Sequence, residues 1–178
     1  MIKATHNEYH KSLKSIWDKA TALYSEGNRD ASSYFNPDES QFLDSIGATA
    51  QEVFDFAEDY NLHGEPDFTS FALVQDIRRS YFLEEQGGVR AGDVVDPATL
   101  PSKQQEVEGI VWLPRIIQKA KAKLQGRMHP NMMYGCGGDR HFLKENDIHI
   151  AEFLRIVWRF EKDEAAIVEW TLKRVGKS

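Results

Sequence analysis

The sequence predicts an all-α fold of about eight helices, in two related four-helix units packed with pseudo-two-fold symmetry and joined by an irregular connector. Three observations carry that expectation. Apolar residues recur at three- and four-residue steps, the same steps reappear a hundred positions later, and a stretch rich in Gly, with one Pro, separates the two occurrences. The expected organisation is a single compact domain over residues 1–178, with repeat units at about 6–86 and 101–176 and the connector at 87–100.

The elements follow in order. Leu13, Ile16, Trp17, Ala20 and Tyr24 mark one buried face of a first helix, and Leu113, Ile116, Ile117, Ala120 and Leu124 mark the same face in the second unit. Lys19 coincides with Lys119, Tyr34 with Tyr134, Glu39 with Asp139, and Phe42-Leu43 with Phe142-Leu143. The third helix repeats as Val53, Phe54, Ala57 and Tyr60 against Phe153, Leu154, Val157 and Phe160. The fourth needs a shift of 95 or 96: Phe68, Phe71, Val74, Ile77 and Tyr81 against Ile167, Trp170 and Leu172. Thr49-Ala50-Gln51-Glu52 reads as a capping box and Asp163 as a cap of the last helix. Pro66 and Pro114 suit the first turns of helices, where a missing N–H costs nothing. Ser102-Lys103-Gln104-Gln105 can cap a short helix before Gly109; the Val-bearing connector suits at most an isolated extended segment, and no alternation supports a sheet.

Apolar residues at 41% and charged residues at 28% give a globular balance, and no apolar run approaches the roughly 20 residues of a membrane span. One cysteine, Cys136, excludes an intrachain disulfide, and residues 1–8 lack the apolar core of a secretory leader; a cytoplasmic protein is expected. The net charge of −6 is uneven. Residues 1–100 carry 8 Lys and Arg against 18 Asp and Glu, and residues 101–178 carry 14 against 10. Opposite signs favour docking of one half on the other, and the acidic larger part argues against general nucleic-acid binding.

The chemically richest stretch is Met132 to His141. Its glycines permit close approach of a ligand, Cys136 is a candidate nucleophile, and Asp139 and His141 are candidate acid–base partners. The structural alternative has Asp139 capping a helix and Cys136 packing as a small apolar group. His129, Cys136, Asp139 and His141 match no zinc spacing, and His6 and His10 read as surface histidines, so no metal or cofactor is expected. Arg115, Lys119, Lys123 and Arg127 form a basic stripe that can hold an anion, with Arg115 the two-pronged donor, or can pair with acids such as Asp55, Glu58 and Asp59. No phosphate loop, dinucleotide fingerprint, nucleophile elbow or His-Glu-x-x-His pair is present.

Leu113-Pro114-Arg115-Ile116-Ile117-Gln118-Lys119-Ala120-Lys121-Ala122, Gly126, Tyr134-Gly135-Cys136, Asp139 and Phe142-Leu143 together resemble a bacterial family known as domain of unknown function 5069, over roughly residues 101–172. The resemblance implies a domain boundary and no established activity. Gln118 stands where that family usually has an aspartate before the lysine, whereas the first unit has Asp18 there.

The functional expectation is a non-catalytic binding module for a small molecule or protein, its cleft formed by the Tyr134–Asp139 loop and the start of the Leu113 helix. Arg115, Lys119, Tyr134, Cys136, Asp139 and His141 are the candidate ligand-binding residues. The alternative is an enzyme or redox-sensitive binder that uses Cys136.

Overall fold

The structure is a computed structural model that describes residues 6–176. Residues 1–5, on which part of the secretory-leader reading falls, lie outside the described residues. Among the described residues there are eight α-helices and one two-stranded sheet, and no helix is long and apolar enough to cross a membrane. The chain divides into two compact units, residues 1–90 and 91–178.

The first unit holds α1 (Tyr9–Ser25), α2 (Pro37–Ser45), α3 (Ala50–His63) and α4 (Phe68–Glu84). The stripe of α1 is buried as its spacing requires, and Trp17 is its anchor. The Trp17 ring centroid lies 4.9 Å from that of Phe71, 5.4 Å from Tyr60 and 6.0 Å from Phe68, which ties α1 to α3 and α4. Two reciprocal capping boxes start the middle helices. The Thr49–Glu52 box is the expected one; the Asn36–Glu39 box before Pro37 went unread in the sequence. Asp67 caps α4, so Pro66 precedes the cap instead of sitting in the first turn.

On α3, burial pushes the Asp55 carboxyl up from 3.8 to about 7, opposed by the hydrogen bond from Gln51 and reinforced by the charges of Glu52, Glu58 and Asp59. Folded Asp55 therefore keeps its proton through a pH range in which the unfolded carboxyl has lost it. The folded state binds more protons between about pH 4 and 7, and this group's contribution to stability falls as pH rises through that window. Asp55→Asn should raise stability at pH 8 and flatten that decline; urea melts at pH 5 and pH 8 read the difference, and an unchanged pH slope would refute it.

The second unit holds β1 (Glu106–Val107), β2 (Ile110–Val111), α5 (Leu113–Gln125), α6 (Gly137–Glu145), α7 (Ile150–Arg159) and α8 (Glu164–Arg174). Ser102–Gln105 forms no helix, contrary to the sequence reading. It leads into an antiparallel hairpin in which Glu106 faces Val111 and Val107 faces Ile110. The turn residues Glu108 and Gly109 both have positive φ, 51° and 72°, as a tight two-residue hairpin demands. The hairpin delivers Trp112, at φ 75°, as the residue before α5, with Pro114 in the first turn as expected. Asp163 caps α8 by accepting from the Ala166 N–H at 3.1 Å.

Helices α2 and α6 begin at 37 and 137, α3 and α7 at 50 and 150, and α4 and α8 at 68 and 164. The pairs Leu13/Leu113, Ile16/Ile116, Trp17/Ile117, Ala20/Ala120 and Tyr24/Leu124 are buried in both helices, as are Tyr34 and Tyr134 and the Phe-Leu pairs. Helix α5 lacks the opening turn of α1, because the hairpin occupies those positions.

Candidate functional site

The site is built around an ion pair. Lys119, on the inner side of α5, reaches the carboxylate of Asp139 in the first turn of α6, and the two side chains are 5% and 0% exposed. Burying two charges is expensive unless each remaining hydrogen-bonding position is filled. Here the Trp112 Nε1–H donates to Asp139 Oδ1 at 2.9 Å and the Gly135 N–H donates to Oδ2 at 2.9 Å. Asp139 thus reaches back from within α6 instead of capping it from outside, and Cys136 occupies the cap position without a side-chain capping bond. Lys119 Nζ also lies 3.1 Å from Cys136 Sγ. Cys136 is half-buried.

The first unit carries the same arrangement at the matching positions: Lys19 Nζ meets Glu39 Oε2 at 2.6 Å. That pair is 37% and 20% exposed, with Phe35 and Asn36 in place of Gly135 and Cys136. A cavity of about 190 Å³ there is lined in part by Ser12, Ser15, Glu39 and Phe42. In the second unit the counterparts of Ser12 and Ser15 are Trp112 and Arg115. The indole of Trp112 lies so close to Gly138 that a Cβ there would stand 2.5 Å from the ring, so α6 needs glycine at that position.

The remaining expected site residues go to different places. Tyr134 is buried and its hydroxyl donates to the Ile150 carbonyl at 2.7 Å; burial, and then the Asp139 charge, push its phenol well above the usual range. Arg115 donates to the Pro101 carbonyl at 2.7 Å. His141 is exposed, with Glu145 at 3.3 Å. The four-residue basic stripe is not one exposed band: Lys119 and Lys123 are buried, and Arg127 lies beyond the end of α5. Among the described residues no three His, Cys, Asp or Glu side chains are placed to hold a metal ion.

A second feature has no counterpart in the sequence reading. The Val95 N–H donates to the Arg127 carbonyl at 2.8 Å, and the Arg127 guanidinium grips Asp93 through Nε at 3.1 Å and through Nη2. At the other end of α5, Arg115 holds Pro101. Residues 93–101 are therefore strapped along α5 from its C-terminus to its N-terminus, with a turn at Pro97–Thr99. Between strap and helix lies a groove of about 400 Å³, lined by Val95, Thr99, Leu100 and Pro101 on one side and Gln118, Lys121, Gln125 and Arg127 on the other. Its volume is that of a small-molecule site. Its donors are arranged in a row: Gln118 and Lys121 both meet Glu164 Oε1, at 2.9 and 2.6 Å, and Gln125 meets Glu161 Oε1 at 2.7 Å. The hydrogen bond from Lys121 is the main reason the Glu164 carboxyl is held below its usual range.

No curated relative and no solved structure matches the chain. The resemblance read from Leu113 to Leu143 is borne out, since residues 98–177, the greater part of the second unit, match the family model described as Domain of unknown function (DUF5069).

Proposed function

We propose that the second unit is a small-molecule-binding module acting in the cytoplasm, and that the first is a divergent copy of the same four-helix unit serving mainly as scaffold. The observation that carries the binding role is the groove of about 400 Å³ between the 93–101 strap and α5, walled on one side by four hydrogen-bond donors. A site of this size with a few converging polar groups on an otherwise rigid helix is the usual form of a small-ligand pocket. The duplication is supported by matched helix starts, by matched buried positions, and by the recurrence of the Lys–acid pair at 19/39 and 119/139. The first unit has no Gly, Cys or Arg at the positions of Gly135, Cys136 and Arg115, and this chemical asymmetry favours the second unit as the functional one.

The test uses the full chain. Small-molecule mixtures screened by ligand-observed NMR should yield binders that Thr99→Trp excludes, because an indole at that exposed rim position fills the groove without entering the core. Binders that persist undiminished in Thr99→Trp would show that the groove is not the site.

The contact between Lys119 Nζ and Cys136 Sγ favours a second reading, in which the thiol is chemically active. A cation held at the sulfur and the first turn of a helix can steady charge that develops as sulfur attacks. On this reading iodoacetamide labels Cys136 faster in the folded chain than in urea at the same pH. Slower labelling in the folded chain would leave the cysteine a packing residue.

A further inference from the structure

We infer that the ligand of the groove is a small dicarboxylate, an inference that rests on the groove being the binding site. The donors on its helix wall already show their preference, because Gln118 and Lys121 donate to a Glu164 carboxylate oxygen and Gln125 to one of Glu161, acceptors supplied by the protein itself. Arg127 grips its carboxylate, Asp93, through two nitrogens, the forked geometry that distinguishes carboxylate recognition from a simple charge contact. The two cations are withdrawn while their acids face solvent. Lys121 is 17% exposed against 51% for Glu164, and Arg127 is 35% exposed against 65% for Asp93.

Those exposed acids are weak competitors. An ion pair open to water contributes little, because solvent and salt screen it and because long side chains lose freedom in forming it. A ligand carrying two carboxylates on one short frame replaces Glu164 at Lys121 and Asp93 at Arg127 together. Its second contact forms at high effective concentration once the first is made, an advantage no monocarboxylate has. The apolar faces of Val95, Leu100 and Pro101 opposite the donors suit the methylenes between the two acids.

Isothermal titration of the full chain with malonate, succinate, glutarate and adipate tests this against acetate, inorganic phosphate and a neutral diol. The expected result is that at least one dicarboxylate binds roughly tenfold or more tightly than acetate, and that Lys121→Gln and Arg127→Gln each weaken it by a similar factor. Asp93→Asn and Glu164→Gln should instead tighten it, since they remove the internal competitors while the Val95 N–H to Arg127 carbonyl and Arg115 to Pro101 carbonyl bonds still hold the strap; a purely structural role for these pairs predicts no gain. Binding of phosphate or the diol in the groove, with no preference for any dicarboxylate, would overturn the ligand class and leave the groove standing. If none of these probes binds and the broader screen finds no binder that Thr99→Trp excludes, the groove reading and the ligand class fall together.

Discussion

Asp139→Ala should destabilise the chain by about 3–5 kcal/mol, because it strands Lys119 as a buried charge without its partner and removes the acceptor for the Trp112 and Gly135 N–H groups. That cost is mostly the penalty of an unpaired charge in low dielectric, not the worth of the pair itself. Replacing both Lys119 and Asp139 with apolar residues of similar size should therefore recover much of the loss. The matching change in the first unit, Glu39→Ala, is expected to cost far less. Its pair with Lys19 is partly solvated, and such pairs contribute about 0–1 kcal/mol, although loss of the Asn36 capping box adds a similar amount. Urea denaturation of both variants gives the comparison. Equal losses at the two positions would mean that burial of the second pair is not what gives it its weight.

Trp17→Ala is expected to cost about 3–5 kcal/mol, as for other large aromatic truncations in a packed core. The side chain is 4% exposed and its ring stacks obliquely on Phe71 and touches Tyr60 and Phe68, so its removal opens a void bordered by three helices. Those aromatic neighbours are too rigid to close over the space. A loss below about 1 kcal/mol would show that α1 does not depend on this anchor.

What was legible in the sequence was whatever repeats with a helical period or caps a helix locally. The buried stripes of α1 and α5, the Thr49 and Asp163 caps and the first-turn Pro114 all depend on residues within a few positions of one another. The hairpin was missed because strands of two residues are too short to alternate; its only mark was the Glu108-Gly109 dipeptide. The coincidences Lys19/Lys119 and Glu39/Asp139 were visible one at a time, but their pairing across about twenty residues was the signal that would have brought Lys119 and Asp139 together. Nothing local to Trp112 in the sequence shows that its indole N–H serves Asp139. The groove was out of reach for a different reason. It exists because an irregular strap folds back along α5, held by Arg127 to Asp93 and Val95 and by Arg115 to Pro101, and irregular backbone carries no period to read.

Binding of a small molecule between strap and helix in the second unit should register on both walls of the groove. The most direct measurement is a ¹H–¹⁵N NMR titration of the full chain, with side-chain Arg Nε and Gln amide signals assigned, against the tightest small-molecule binder found. Shifts are expected to concentrate at residues 95–101 and at Gln118, Lys121, Gln125 and Arg127, with the Arg127 Nε–H and Gln118 side-chain amide moving most. Shifts centred instead on Gly135–Asp139, or in the first unit, would contradict it.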